Sequence, residues 1–131
     1  MLNDAGTYTT LPVTELERAR RFYSETLGMR EVMVTDGGIM FASGATQFFV
    51  YPSSFRASGH TQMSWTVPDI RKEVAELRGR GLKFEEFDVP GVKTVDGISQ
   101  VGPNVWTAYF KDPDGNLLGL TQIGERTPEA S

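Results

Sequence analysis

Few residues in this chain of 131 can do chemistry, and they are widely spaced. Cysteine is absent, which removes thiolate nucleophiles, thiolate metal sites and disulfides together. The one histidine, His60, stands two residues before Gln62. Alternation along a strand would turn both to one face, where an imidazole and an amide oxygen could ligate a metal. Against that, His60 ends the stretch "SSFRASGH", whose Ser and Gly content marks a linker and favours a solvated histidine. Tyr8 and Tyr51 are further acid–base candidates. Asp112 and Asp114, next to Gly115, invite a calcium reading, but the EF-hand loop requires Gly at its sixth and Glu at its twelfth position, which this stretch does not supply. Asp112-Pro113-Asp114-Gly115 fits a type I turn instead. Glu85, Glu86 and Asp88 in "KFEEFDVPG" could attract a cation or simply solvate a strand edge, and Arg18–Arg21 reads as a solvated helix face balanced by Glu15, Glu17 and Glu25. No GxGxxG, P-loop, GxSxG or HExxH pattern is present.

The whole chain sets the frame for these groups. At 39% hydrophobic and 23% charged it has the composition of one globular domain with a core of its own. A net charge of -4 and a pI near 5.0 argue against nucleic-acid or anionic-membrane partners. No apolar run reaches the length of a membrane span and "MLNDAGTYTT" lacks the regions of a signal peptide, so a cytoplasmic location is expected.

Periodicity supplies the elements that position the candidates. "TYTTLPV" reads as a strand and "TELERARRFYSETLG" as a helix with Leu16, Ala19, Tyr23 and Leu27 on one stripe, a capping box at Thr14 and Glu17, and Gly28 at the C-cap. "MREVMV", "IMFAS" and "QFFVYP" follow as three strands joined by tight turns. After the linker the order restarts: strand "TQMSWTV", a helix capped by Asp69 and closed by Gly81, strand "LKFEEFDV", a loop over 90–103, strand "VWTAYF" and a last strand "LLGLTQ". The 90–103 loop could act as a mobile lid or as a plain connector. "LPVTELERA" and "WTVPDIRKE" align at an offset of about 54 residues, so one βαβββ plan is written twice.

With "VTELERARRFYSETLG" at one end and "YFKDPDGNLLGLTQ" at the other, the chain resembles the vicinal-oxygen-chelate superfamily, which contains glyoxalase I, bleomycin-resistance proteins, fosfomycin-inactivating thiol transferases and extradiol dioxygenases. The resemblance implies an α+β fold within one domain, 1–131. Its two βαβββ modules, about 6–52 and 60–123, would form a curved mixed sheet around a cavity with the helices outside. It also implies a homodimer in which modules of different chains complete each cavity.

In metal-dependent members, His, Gln or Glu ligands project from the first and last strands of each module. Carried over residue by residue, those positions are Tyr8, Phe48 or Phe49, Gln62 and Gly119. Only Gln62 is a ligand type, and about three protein ligands are usual at a catalytic metal. The expectation is therefore no metal and no other cofactor. The expected function is sequestration of a small hydrophobic or aromatic molecule, an antibiotic being one candidate, in a cavity at the dimer interface and in the manner of the bleomycin-resistance branch. The residues expected at the ligand are Tyr8, Thr10, Phe41, Phe49, Tyr51, Gln62, Ser64, Trp106, Tyr109 and Gly119, with no catalytic residue assigned. The alternative is a glyoxalase- or dioxygenase-like enzyme with a non-standard site, using Tyr8, Tyr51 or His60 as acid–base. A third reading is a dimeric interaction module with an empty cavity.

Overall fold

A computed structural model describes residues 1–54 and 59–124. The chain divides into two units, Met1–Ser58 and Gly59–Ser131.

In the first unit, β1 (Thr9–Val13) leads into α1 (Leu16–Arg21) and a π-helical turn at Phe22–Thr26. Three strands follow, β2 (Arg30–Thr35), β3 (Gly38–Ser43) and β4 (Thr46–Pro52). They form one sheet of order β1-β4-β3-β2, in which only the β1–β4 pair is parallel. Alternation sorts the side chains. Leu11, Val13, Ile39, Phe41, Phe48 and Val50 are buried together with Ala19 and Tyr23 of the helical segment. Tyr23 sits 5.7 Å from Phe41 and 5.4 Å from Phe48, ring centre to ring centre, and those two rings stack at 5.3 Å. Such a cluster holds the helical segment to the sheet by area and by ring geometry at once.

The capping box predicted at Thr14 and Glu17 does not form. Glu15 is the N-cap and no side chain caps it. Arginines draw both box members away: Thr14 Oγ1 accepts from Arg18 at 3.2 Å, and the Glu17 carboxylate lies 3.4 Å from Arg20. Arg20 also donates to both oxygens of Glu31 on β2, at 2.7 and 2.8 Å, and Ser24 donates to Glu31 at 3.0 Å. Those charge-assisted bonds hold the Glu31 carboxyl below its ordinary pKa and tie the helix to the outermost strand.

The second unit repeats the plan with an insertion. β5 (Thr61–Thr66) leads into α2 (Ile70–Gly79), where Asp69 caps the helix by accepting from the Lys72 N–H at 3.3 Å. Then come a two-residue pair, β6 (Asp88–Val89) and β7 (Val92–Lys93), and the strands β8 (Ile98–Gly102), β9 (Val105–Lys111) and β10 (Leu117–Ile123). The sheet order is β5-β10-β9-β8. Its core gathers Ile70, Val74 and Leu77 of α2 with Ala108, Phe110, Leu118 and Leu120. Gln122 belongs to this face as well, since its Oε1 accepts from the Ile70 N–H at 2.9 Å.

Two expectations are corrected here. "LKFEEFDV" is not a full strand: it contributes a single bridge at Phe84 to Phe110 and then the short β6. The 90–103 segment, expected as a loop, holds β7 and the sheet's outer strand β8. What organises it is an Asp-Gly turn. Asp96 and Gly97 both have positive φ, 56° and 83°, and Val95 and Ile98 exchange backbone hydrogen bonds across them, which is the pattern of a type I′ hairpin. Arg78 of α2 holds this turn through the Asp96 carbonyl at 3.0 Å while its guanidinium lies 5.6 Å over the Phe84 ring.

Candidate functional site

Each unit has one sheet face turned to its helix and one turned away. The candidates fall on both.

In the first unit, strand register places Thr10, Phe49 and Met40 side by side on the face away from the core. Phe49 and Tyr51 stack on that face with ring centres 6.3 Å apart, and Tyr8, just before β1, is 58% exposed. Phe41 lies on the opposite face, fully buried against Tyr23 and Phe48, so it is part of the core rather than of an open surface. Phe48 is buried there too, leaving Phe49 as the outward residue of the expected ligand pair.

In the second unit, Ser64, Gly119 and Tyr109 stand in one row across three strands, away from α2. Gly119 is held close: a Cβ at this position would lie 2.6 Å from Ser64 Oγ and 3.5 Å from the Tyr109 ring. Tyr109 meets Phe87 edge to face at 5.5 Å. Trp106 alternates with Tyr109 and shares the parity of Ala108 and Phe110, which puts it on the α2 side with its register partner Gln122. Gln62 sits in a bulge, because β10 pairs Leu117 with Thr61 and the next residue, Leu118, with Met63. The bulge interrupts alternation, so His60 does not follow from Gln62.

His60 lines a half-open groove of ≈ 410 Å³ together with Thr61, Phe87, Val89, Tyr109 and Leu117. Its walls are the start of β5, the β6–β7 hairpin and the Phe87–Tyr109 pair. Sequence reasoning missed Phe87, Val89 and His60 as one group because they meet only through the inserted hairpin. The Pro90-Gly91 pair at the hairpin's tip was the available signal. Two of the three acidic residues nearby are engaged: Glu85 lies 3.8 Å from Lys111 and Glu86 accepts from Thr94 at 2.6 Å, while Asp88 stands opposite Lys93 in strand register.

One register further along the same face, Ser99, Thr107, Thr121 and Thr66 form a hydroxyl row across all four strands. Sequence parity puts Thr66 and Thr121 on one face, but Ser99, Thr107 and the row itself need strand register, which is not local information. Ser99 is 1% and Thr107 8% exposed, and neither hydroxyl has a hydrogen-bond partner among the described residues. A buried hydroxyl left unpaired costs about 1–3 kcal/mol. Thr107→Val keeps the shape and removes that hydroxyl, so it is expected to stabilise the ligand-free protein by about 1 kcal/mol in chemical denaturation. A loss of stability instead would show that a water pairs the group.

The residues do not fit a metal. The first unit offers a phenol and a phenylalanine at the family positions, the second a bulged amide and a glycine. Among the described residues no three His, Asp or Glu side chains gather within reach of one ion.

The sequence profile of the Glyoxalase/Bleomycin resistance protein/Dioxygenase superfamily matches residues 7–120. The chain belongs to that superfamily. No curated protein matches it by sequence. Solved structures share the superfamily fold. A glyoxalase family protein from Enterococcus faecalis is 19% identical with a TM-score of 0.69, over 92% of this chain and 99% of the other. A lactoylglutathione lyase from Agrobacterium tumefaciens is 21% identical, with a TM-score of 0.62 over 90% and 92%. An antibiotic binding protein from Streptomyces sp. is 22% identical, with a TM-score of 0.59 over 92% and 98%. Proteins of this fold thus include both a binder and an enzyme, and the choice for this chain rests on its own residues. No helix of the described residues is long and apolar enough to cross a membrane.

Proposed function

We propose that this protein binds a small hydrophobic or aromatic molecule without a metal ion, as a cytoplasmic homodimer whose partner covers the ligand's exposed side. The observation that carries this reading is the Phe87–Tyr109 pair lining the ≈ 410 Å³ groove. Ring edges and faces of that kind receive planar apolar ligands, and the groove's volume suits a small organic molecule. The antibiotic-binding relative supports an antibiotic as one ligand class. Tyr8, Thr10, Phe49, Tyr51, Gln62, Ser64 and Gly119 are proposed as further contacts, on the faces described above.

The second reading is an enzyme, favoured by His60 and Tyr109 lining the same groove. In that case the imidazole and the phenol would exchange protons with a bound substrate.

A thermal-shift panel of aromatic antibiotics and aromatic metabolites tests the first reading. At least one compound is expected to raise the melting temperature, because a ligand at about 100 times its Kd adds about 2.7 kcal/mol to the folded state. Tyr109→Ala is expected to abolish the shift. Absence of any shift, or a shift that Tyr109→Ala leaves intact, counts against the site. One equivalent of tightly bound divalent metal per chain, lost on substituting His60 or Gln62, would overturn the metal-free reading and favour the enzyme.

A further inference from the structure

The groove has two walls of different kinds. Tyr109 and Leu117 stand on β9 and β10, the inner strands of a four-stranded sheet. The other wall is Phe87 with Val89 and Val92 of the β6–β7 hairpin, which is a separate two-stranded sheet. That hairpin has two register pairs, Asp88 with Lys93 and Val89 with Val92, around a Pro90-Gly91 tip. A lone hairpin is marginally stable at best. The chain is fixed on both sides of it. Phe84 bridges to Phe110 and the Glu85 N–H donates to the Tyr109 carbonyl at 2.7 Å, while Val95 pairs with Ile98 beyond the far end. Between these anchors, residues 86–94 reach the other described residues by a single ring contact and by no hydrogen bond or ion pair. That contact is Phe87 on Tyr109, at 5.5 Å and 88°.

What braces this segment is Thr94. Its N–H donates to the Phe87 carbonyl at 2.9 Å, and its Oγ1 accepts from the Phe87 N–H at 2.8 Å and donates to the Glu86 carboxylate at 2.6 Å. Three bonds from one residue close the base of the hairpin and fix the backbone that carries the Phe87 ring. We propose that Thr94 is the positioning residue of the groove: its hydroxyl holds the hairpin wall with Phe87 on Tyr109, and the wall swings about this point to admit a ligand. Rings 5.5 Å apart leave no room for a third ring between them, which needs at least about 4.5 Å on each side. Tyr109 is held in the sheet ladder between β8 and β10, so the ring that yields is Phe87. Segments with few ties to their surroundings open at the lowest free energy, and ligand lids are drawn from them. The assignment rests on the groove being the ligand site, but the motion needs no ligand and is tested without one.

The test is fluorine NMR of the full, ligand-free chain with its four tyrosines replaced by fluorotyrosine, the Tyr109 signal being assigned with Tyr109→Phe. Phe87→Ala removes the neighbouring ring current and is expected to move that signal, which marks the open position. In the wild type, relaxation dispersion is expected to show a minor state at the same position. Thr94→Val keeps the shape and the backbone bond but loses both hydroxyl bonds, and is expected to raise the minor population about tenfold. Thr94→Ser keeps the hydroxyl and is expected to stay within about threefold of wild type. A role confined to stability would lower the melting temperature of the valine variant and leave the Tyr109 signal where it was. An unmoved signal in Phe87→Ala, a wild-type population in Thr94→Val, or a serine variant as open as the valine one would each overturn the proposal. Any of these leaves the ligand panel and its Tyr109→Ala control to decide the binding reading by itself.

Discussion

Asp112→Ala is expected to be among the most damaging single changes in the chain, at about 3–4 kcal/mol of stability. Asp112 is 4% exposed and its carboxylate organises the whole turn. Oδ1 accepts from the Asp114 N–H at 3.0 Å and the Asn116 N–H at 2.8 Å, and Oδ2 accepts from Asn116 Nδ2 at 2.8 Å. Backbone bonds from Gly115 N–H to the Asp112 carbonyl, at 2.9 Å, and from Asp112 N–H to the Asn116 carbonyl, at 3.0 Å, close the turn on both sides. Hydrogen bonds to a charged acceptor contribute about 1.5–3 kcal/mol each, and the alanine variant takes that acceptor away from two backbone N–H groups and the Asn116 amide at once. Asp112→Asn keeps one acceptor and turns a donor toward Asn116 Nδ2, so a smaller loss of about 2 kcal/mol is expected. Thermal or urea denaturation reads both. A loss under 1 kcal/mol for the alanine variant would show that the turn forms without the carboxylate. The effect reaches the site because this turn starts β10, whose register sets Gly119 beside Ser64 and Tyr109.

Gly38→Ala is expected to cost about 3–5 kcal/mol, or to prevent folding of the first unit. Gly38 has a φ of 148°, a region that side chains rarely enter, and it is buried at the mouth of the β2–β3 turn. A Cβ there would overlap the Val50 carbonyl oxygen and lie 2.7 Å from the Phe49 ring. Overpacking against a backbone atom inside a ladder has no inexpensive relaxation, and unfavourable φ adds to it. Combining Gly38→Ala with Phe49→Ala is expected to restore little, since the carbonyl remains where the sheet holds it. Denaturation midpoints of the two variants decide this. Near wild-type stability for Gly38→Ala would mean that the strand can shift away from Val50.

The element order of the first unit, the Asp69 cap and the Asp112-Gly115 turn were legible because they depend on residues within a few positions of one another. The same holds for the twofold repeat and the two end motifs, which were enough to indicate the family. Local reading failed where a distant group competes. Thr14 and Glu17 carry the spacing of a capping box, yet Arg18 and Arg20 take both. Asp96-Gly97 is a strong hairpin signal in a segment whose Gly and Pro content reads as loop, and β8 is a strand because β9 lies beside it. Trp106 and Tyr109 are three positions apart in one strand, and no property of either ring reveals which of them turns toward α2.

By itself the sequence determined the α+β plan of two βαβββ units, the Asp112-Gly115 turn, and the residue types at the family's ligand positions: a phenol, a phenylalanine, an amide and a glycine. Those are properties of composition and short spacing. Tertiary structure alone decided which rings are core and which are open, since Phe41 and Phe49 differ only in the face that parity assigns them. It alone brought Phe87, His60 and Tyr109 to one groove, through an inserted hairpin and a bulge at Gln62. Side-chain direction in a sheet reverses with every residue, and one bulge inverts all that follows, so only the paired strands can fix it.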